Sequence, residues 1–362
     1  VIRIQKGRVI ALFAFDIGFE VALDKLSVVP SSAPVRPLSL KKQTPAFLQL
    51  AKPPVVAHLG DVKPVFGLSE AGQAQVTVFN FGAASLSYQW PLPGGLTFEE
   101  LKQISRALYD LNLESRARER IQKFMEEIRP AITRPELSHL VEDYYLFVVE
   151  SFDQPITAAG LLSECGAPMA QVLRFETEPL SRQQQEEALN QRISYYENDL
   201  VVADWNAALV YDRDYDDTAY VLEFLNVELM EARYIDDQLD RRIGDYQGIS
   251  LKQSDWLLPL RTPNRKAIQD LAELRLESLL MAERVDNALK LIGDLYLARI
   301  HAAAAERLYL RAWQSAISRK LDIIANLYQV LTDRVRTVQS QTLELIIIAL
   351  IFAEILMAIF FY

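Results

Sequence analysis

The last eighteen residues, Leu345 to Tyr362, constrain this chain more than any other stretch, because all of them except Glu354 are apolar. At about 1.5 Å per residue such a helix reaches about 27 Å, close to the roughly 30 Å of a bilayer's hydrocarbon core. Helices of water-soluble domains keep a polar face, so five turns without one predict a transmembrane helix over 343–362 rather than a helix buried in an oligomer. Arg334 and Arg336 precede the run and no basic residue follows it. The positive-inside tendency then predicts a single-pass protein of an inner membrane, with its N-terminal body on the cytoplasmic or mitochondrial matrix side. Glu354 falls near the middle of the span, where an ionised acid costs about 2.5 to 3.5 kcal/mol. Two readings follow from that cost: an ion or proton site, or a neutral carboxyl hydrogen-bonding between the helices of an oligomer.

A helix-packing seam leads into the span. Leu310, Ile317, Ile324, Leu331 and Val338 recur every seven residues, with Leu321, Tyr328 and Val335 four residues after three of them. Upstream, Leu271, Leu274, Ser278, Met281, Val285, Ala288, Ile292 and Leu295 follow a 3-4 spacing. No Gly or Pro occurs after Gly293, so the pattern predicts long coiled-coil-like helices to the chain end, with room for a kink near 301–305. Ile317, Ile324, Leu331 and Val338, together with Glu344 and Glu354, are the expected membrane and oligomer contacts of a homo-oligomer.

The rest of the chain predicts an α+β domain over 1–178 followed by a helical module over 179–342. Strand-like runs occupy 8–23, around Gly18, and 76–90, with a turn or bulge expected at Gly82. Between them Pro30, Pro34, Pro37, Pro45, Pro53 and Pro54 predict a surface loop over 28–57. Thr97 with Glu100 forms a capping-box pattern that starts a helix, a second helix covers 114–128 before Pro130, and 139–152 reads as a strand. Ser181 caps an expected helix to about Ser194, and the apolar run Asn198–Tyr211 reads as buried and partly extended. A helix over 217–246 carries Val221, Leu222, Leu225, Leu229, Ile235 and Leu239 on one stripe and is expected to end at Gly244 and Gly248.

Composition narrows the chemistry. A net charge of -10 with no basic block argues against direct nucleic-acid binding, which depends on clustered Lys and Arg. Cys165 is the only cysteine, which excludes an intrachain disulfide, a cysteine zinc site and a CxxC pair, and fits a reducing compartment. His58, His139 and His301 form no HExxH motif, and no Ser-His-Asp or Cys-His arrangement and no Gly-rich phosphate loop can be assembled. No catalytic residue, cofactor or bound metal is therefore expected. The densest acidic group is Asp199, Asp204, Asp212, Asp214, Asp216 and Asp217. Its spacing fits no calcium loop, and solvated acids around a helix start explain it more simply than a hard-cation site. Asp204 beside Trp205 in an apolar run needs a partner if buried, so Asp199, Asp204 and Trp205 form the one possible functional cluster.

The order of Asp199–Val210, Leu222–Leu229, Tyr234–Asp240, Lys320–Tyr328, Leu343–Glu344 and Ala353–Ile355 resembles the required-for-meiotic-nuclear-division family, over residues 140–362. That resemblance implies a helical C-terminal module with a terminal membrane helix and an oligomeric state. It also implies a link to translation, since eukaryotic relatives act as ribosome-associated tethers or assembly factors of the mitochondrial inner membrane. No catalytic residue carries over, and the 28–57 insertion departs from the family's pattern. The expected function is a membrane-anchored oligomeric scaffold that recruits a protein partner to the bilayer. An oligomeric channel or transporter around Glu354 is the alternative, and a metal-dependent enzyme using the 199–217 aspartates a second.

Overall fold

The computed structural model describes residues 1–28, 36–37, 53–65, 67–68, 70–252, 269, 272, 275–276, 279 and 294–361. Most of the proline-rich segment and nearly all of the seam that starts at Leu271 lie outside those residues. The chain divides into two compact units, Val1–Tyr234 with Arg284–Ala312, and Ile235–Glu283 with Trp313–Tyr362.

The first unit is built on a mixed sheet. In chain order its strands are β1 (Ile4–Asp16), β2 (Gly18–Val21), β3 (Arg36–Pro37), β4 (Val55–Val62), β5 (Gly72–Val78), β6 (Ala83–Pro91), β7 (Ile132–Pro135) and β8 (Glu142–Phe152). They are followed by β9 (Gln191–Ile193), β10 (Leu200–Ala203) and β11 (Ala207–Tyr211). Nine strands join in the order β3-β4-β5-β6-β1-β8-β11-β10-β9, while β2 and β7 pair separately. β1 is antiparallel to both neighbours, and β11 runs parallel to β8.

β1 reads as a continuous apolar run because helices cover both of its faces. Phe13 and Phe15 belong to the core under α1 (Phe98–Asp110), α2 (Leu113–Glu127) and α3 (Ala158–Arg174). Ala14 faces the other way, against Tyr220, Phe224, Val227 and Met230 of α5 (Asp216–Lys252). Period-two alternation along one strand thus serves two apolar layers.

Local signals placed several elements well. The Thr97 hydroxyl accepts from Glu100 N at 3.3 Å, and Glu100 Oε2 accepts from Thr97 N at 2.8 Å, completing the capping box of α1. Thr97→Ala should cost about 1 kcal/mol, measured as a shift in denaturant midpoint. Gly82 makes the β5–β6 turn at φ +98°, and a Cβ there would lie 1.7 Å from the Gly18 carbonyl oxygen, so only glycine fits.

Other expectations shift. The helix expected from Ser181 to Ser194 is α4 (Arg182–Ala188) only; β9 follows and pairs with β10 as the sheet edge. α5 continues through Gly244 and Gly248 to Lys252, since a helical glycine costs only about 1 kcal/mol and does not by itself stop a helix. The strands β9 to β11 belong to the sheet of the first unit, so the compact units do not divide at 178. The expected kink at 301–305 is a break further on, between α6 (Leu295–Arg307) and α7 (Leu310–Phe361), where Tyr309 takes φ +54°.

In the second unit, Lys320 Nζ on α7 lies 2.6 Å from Asp236 and 2.7 Å from Asp240, tying α7 to the C-terminal half of α5. Ile317 and Ile324 are buried within the chain, whereas the side chains of Leu331 and Val338 lie outside the described residues. Among the described residues one helix is long and apolar enough to cross a membrane, Gln339–Ile359, and none of it is buried. An α+β part followed by a helical part with one such terminal helix is the fold class expected from the sequence.

Candidate functional site

An opening of about 800 Å³ in the first unit lies at the carboxyl ends of β8 and β11. In α/β sheets the crevice beyond the carboxyl ends of parallel strands is where ligands sit, because the loops there leave the sheet in divergent directions. Three connections form its walls: the β8–α3 loop, the turn before β10 and the β11–α5 loop. Tyr211 Oη donates to the Ile156 carbonyl, and Ala158 N donates to the Glu197 carbonyl at 2.7 Å, which fixes the loops against one another.

The lining is acidic and aromatic. Glu150, Asp153, Glu197, Asp199, Asp212, Asp214 and Asp217 face Arg213 as the one lining cation among the described residues. Lys6 and Arg8 neutralise Glu150 at 2.5 and 3.5 Å. Tyr195, Tyr196, Tyr211 and Tyr296 supply the ring surface. Burial, with Asp199 and Asp212 adding to it, pushes the Tyr296 phenol well above its ordinary value. Such a cleft repels anions such as nucleotides and favours cationic groups, which gain from both carboxylates and ring faces.

The structure separates the aspartates that sequence reading grouped. Asp199 closes the turn before β10, where Oδ1 accepts from Tyr195 N at 2.7 Å and Oδ2 from Tyr196 N at 3.0 Å. Asp212 accepts from Asp214 N at 2.9 Å. Both line the cleft; Asp204 lies at the opposite end of β10, in the turn to β11. Among the described residues no three carboxylates, histidines or cysteines could hold a metal ion.

Asp204 is fully buried and carries the partners its burial demands. Arg174 from the end of α3 pairs with Oδ2, and Arg307 from the end of α6 reaches Oδ1 through Nε at 2.7 Å and Nη2 at 2.5 Å. Tyr144 Oη donates to the Asp204 carbonyl at 3.0 Å. Trp205, 40% exposed, packs its ring 5.6 Å from that of Tyr309. The Asp204–Trp205 pair therefore joins α3, α6 and the β10–β11 turn, and its geometry is that of a structural clasp.

The remaining candidates form no reactive arrangement. His301 Nε2 lies 2.9 Å from Glu228 Oε2, with no nucleophile in the pair. Cys165 is a half-buried free thiol whose acidity burial reduces. Glu344 and Glu354 sit on exposed turns of α7. Sequence reading missed the cleft's tyrosines and its acids at 150, 153 and 197, which converge only through the parallel β8–β11 pairing. It also missed buried Glu228 and Glu231 and half-buried Glu223 on α5, although Glu residues interrupting an apolar stripe were a visible signal.

Together these features define a class: an α+β domain with an acidic, tyrosine-lined cleft, followed by helices of which the last is able to span a bilayer. The chain belongs to the family described as the N-terminal domain of uncharacterized protein MJ0711, which matches residues 6–218. That match takes in the first strands as well as β8 to β11. Uncharacterized protein MJ0711 of Methanocaldococcus jannaschii is 22% identical over 277 residues, covering 72% of this chain and 83% of that protein. No solved structure matches the chain.

Proposed function

We propose that the chain is a non-enzymatic, membrane-anchored scaffold that assembles as a homo-oligomer and recruits a protein partner to the bilayer. One observation carries the reading: the 21-residue helical stretch Gln339–Ile359, long and apolar enough to span a bilayer, has no cover among the described residues. Exposed apolar surface is unfavourable in water by about 25 cal/mol per Å², so a helix of this kind needs lipid or other helices around it. Ile317 and Ile324 are already spent on packing inside the chain, which moves the subunit contact toward the segment containing Glu344 and Glu354. A neutral Glu354 hydrogen-bonding between subunits answers the cost of an acid in the span.

Arg334 and Arg336 favour placing the remainder of the chain on the cytoplasmic or matrix side of an inner membrane. The acidic cleft favours a partner segment rich in Lys or Arg, and the resemblance to the required-for-meiotic-nuclear-division family supports a translation-linked partner. The channel reading rests on Glu354 alone. The metal-enzyme reading loses its central residue to the two arginines around Asp204.

Native mass spectrometry of the full chain in mild detergent tests the proposal. A defined oligomer is expected, with Glu354→Leu still inserting but dissociating more readily. A monomer at all protein concentrations would defeat the oligomeric reading, and cation flux in proteoliposomes that Glu354→Gln abolishes would replace it with the channel.

A further inference from the structure

The layer between α5 and the sheet contains acids without matching cations. Alternation along β1 puts Asp16 on the same face as Ala14, and across the ladder Asp16 pairs with Ala83. Ala14 and Ala83 belong to the same apolar cluster as Tyr220, Phe224, Val227 and Met230 of α5, against which Tyr234 also packs, and Glu231 is the residue after Met230. Asp16 is 2% exposed and Glu231 1%. Both carboxyl oxygens of Glu231, and Oδ2 of Asp16, are buried with no hydrogen-bond partner among the described residues.

The charged groups around the pair are committed elsewhere or are acids themselves. Arg118 lies over the Phe15 ring, on the other face of β1, and donates to the Ser138 and His139 carbonyls at 2.7 Å each. Arg233 of α5 bonds Glu142 of β8 at 2.5 Å, and Arg134 lies over the Phe19 ring. Glu136, after β7, adds negative charge toward Asp16, and Glu223 lies two turns earlier on α5. Burial raises both members, Asp16 further through Glu136 and Glu231 further through Asp16, while the Gly18 N–H opposes the rise at Asp16.

Two ionised carboxylates in one apolar layer would each lack solvation and repel the other, which a single bound proton relieves. We propose that Asp16 and Glu231 form a proton-binding site, and that loss of its proton as pH rises loosens α5 from the sheet. The proton passes to solvent and no other group changes state. Because the folded pair binds protons more tightly than the unfolded chain, its contribution is complete below the ordinary carboxylate range and is lost as pH rises through the folded titration.

The test is thermal unfolding of the full chain in detergent from about pH 5 to about pH 9, in a Glu223→Gln background that removes the neighbouring acid. Expected is a fall in Tm with rising pH. Glu231→Gln should flatten it, remove about one proton from the uptake linked to folding, and raise Tm at the alkaline end. Asp16→Asn should act in the same direction and serves if Glu231→Gln does not fold. Unchanged pH dependence in both variants would overturn the proposal. So would an alkaline Tm that rises with added Na⁺ or Mg²⁺ in the parent and not in Glu231→Gln, which would make the occupant a metal cation.

Discussion

Asp204→Asn should destabilise the first unit by about 3 to 5 kcal/mol, the usual result of removing one partner from a buried ion network. The amide keeps the carboxylate's shape, so packing is not the cause. What it loses is the charge that holds Arg174 and Arg307, whose side chains are 25% and 19% exposed. Two guanidiniums would then face each other across a neutral, fully buried group. Because α3 and α6 are both held at this point, denaturant unfolding followed by tryptophan fluorescence should show the loss as a lower midpoint. Arg174→Lys, which retains a charge but not the planar fork, should cost less. A change under about 1 kcal/mol for Asp204→Asn would mean that the ion cluster does not clasp the helices.

Glu223→Gln should do the opposite and stabilise the protein at alkaline pH. Glu223 is half-buried on the sheet-facing side of α5 near Ser85 and Thr77, and burial pushes its carboxyl from an ordinary 4.5 up to about 7, with the facing hydroxyls offsetting part of the rise. A raised folded value means that the folded state holds the proton more tightly than the unfolded chain. Its stabilisation is complete below about pH 4.5, declines as pH rises to about 7, and is gone above that. The difference corresponds to about 3 kcal/mol at one proton. Gln, which never ionises, should show no such decline. The variant should therefore match the parent near pH 4 and exceed it by up to about 3 kcal/mol near pH 8. Equal stability curves across that range would show that Glu223 is solvated in the folded protein.

Both effects concern residues whose importance depends on what meets them. Asp204 stood out in the sequence because a charge beside Trp205 interrupted an apolar run, yet Arg174 and Arg307 lie 30 and 103 residues away along the chain. Glu223 looked like one more acid on an amphipathic helix. It became a half-buried titrating group because α5 lays it against Ser85 and Thr77 of the sheet. Asp199 shows the same effect in reverse: a residue of the possible functional cluster is satisfied by two backbone N–H groups of its own turn.

The sequence by itself determined the elements governed by neighbours a few residues apart. Thr97 and Glu100 start α1 through contacts within one turn. Gly82 turns β5 into β6 because no Cβ fits there. The apolar terminal run is a membrane-length helix because its side chains leave no polar face. Tertiary structure decided the rest. The register of β1 between β6 and β8 chose which acids are buried, parallel pairing of β8 with β11 gathered distant loops into one acidic cleft, and pairing with β10 made a strand of Gln191–Ile193 after α4 ends at Ala188. The physical reason is range: capping and turn preferences act within a few residues, whereas burial, and with it the cost of every charge, is set by partners that only the folded chain brings together.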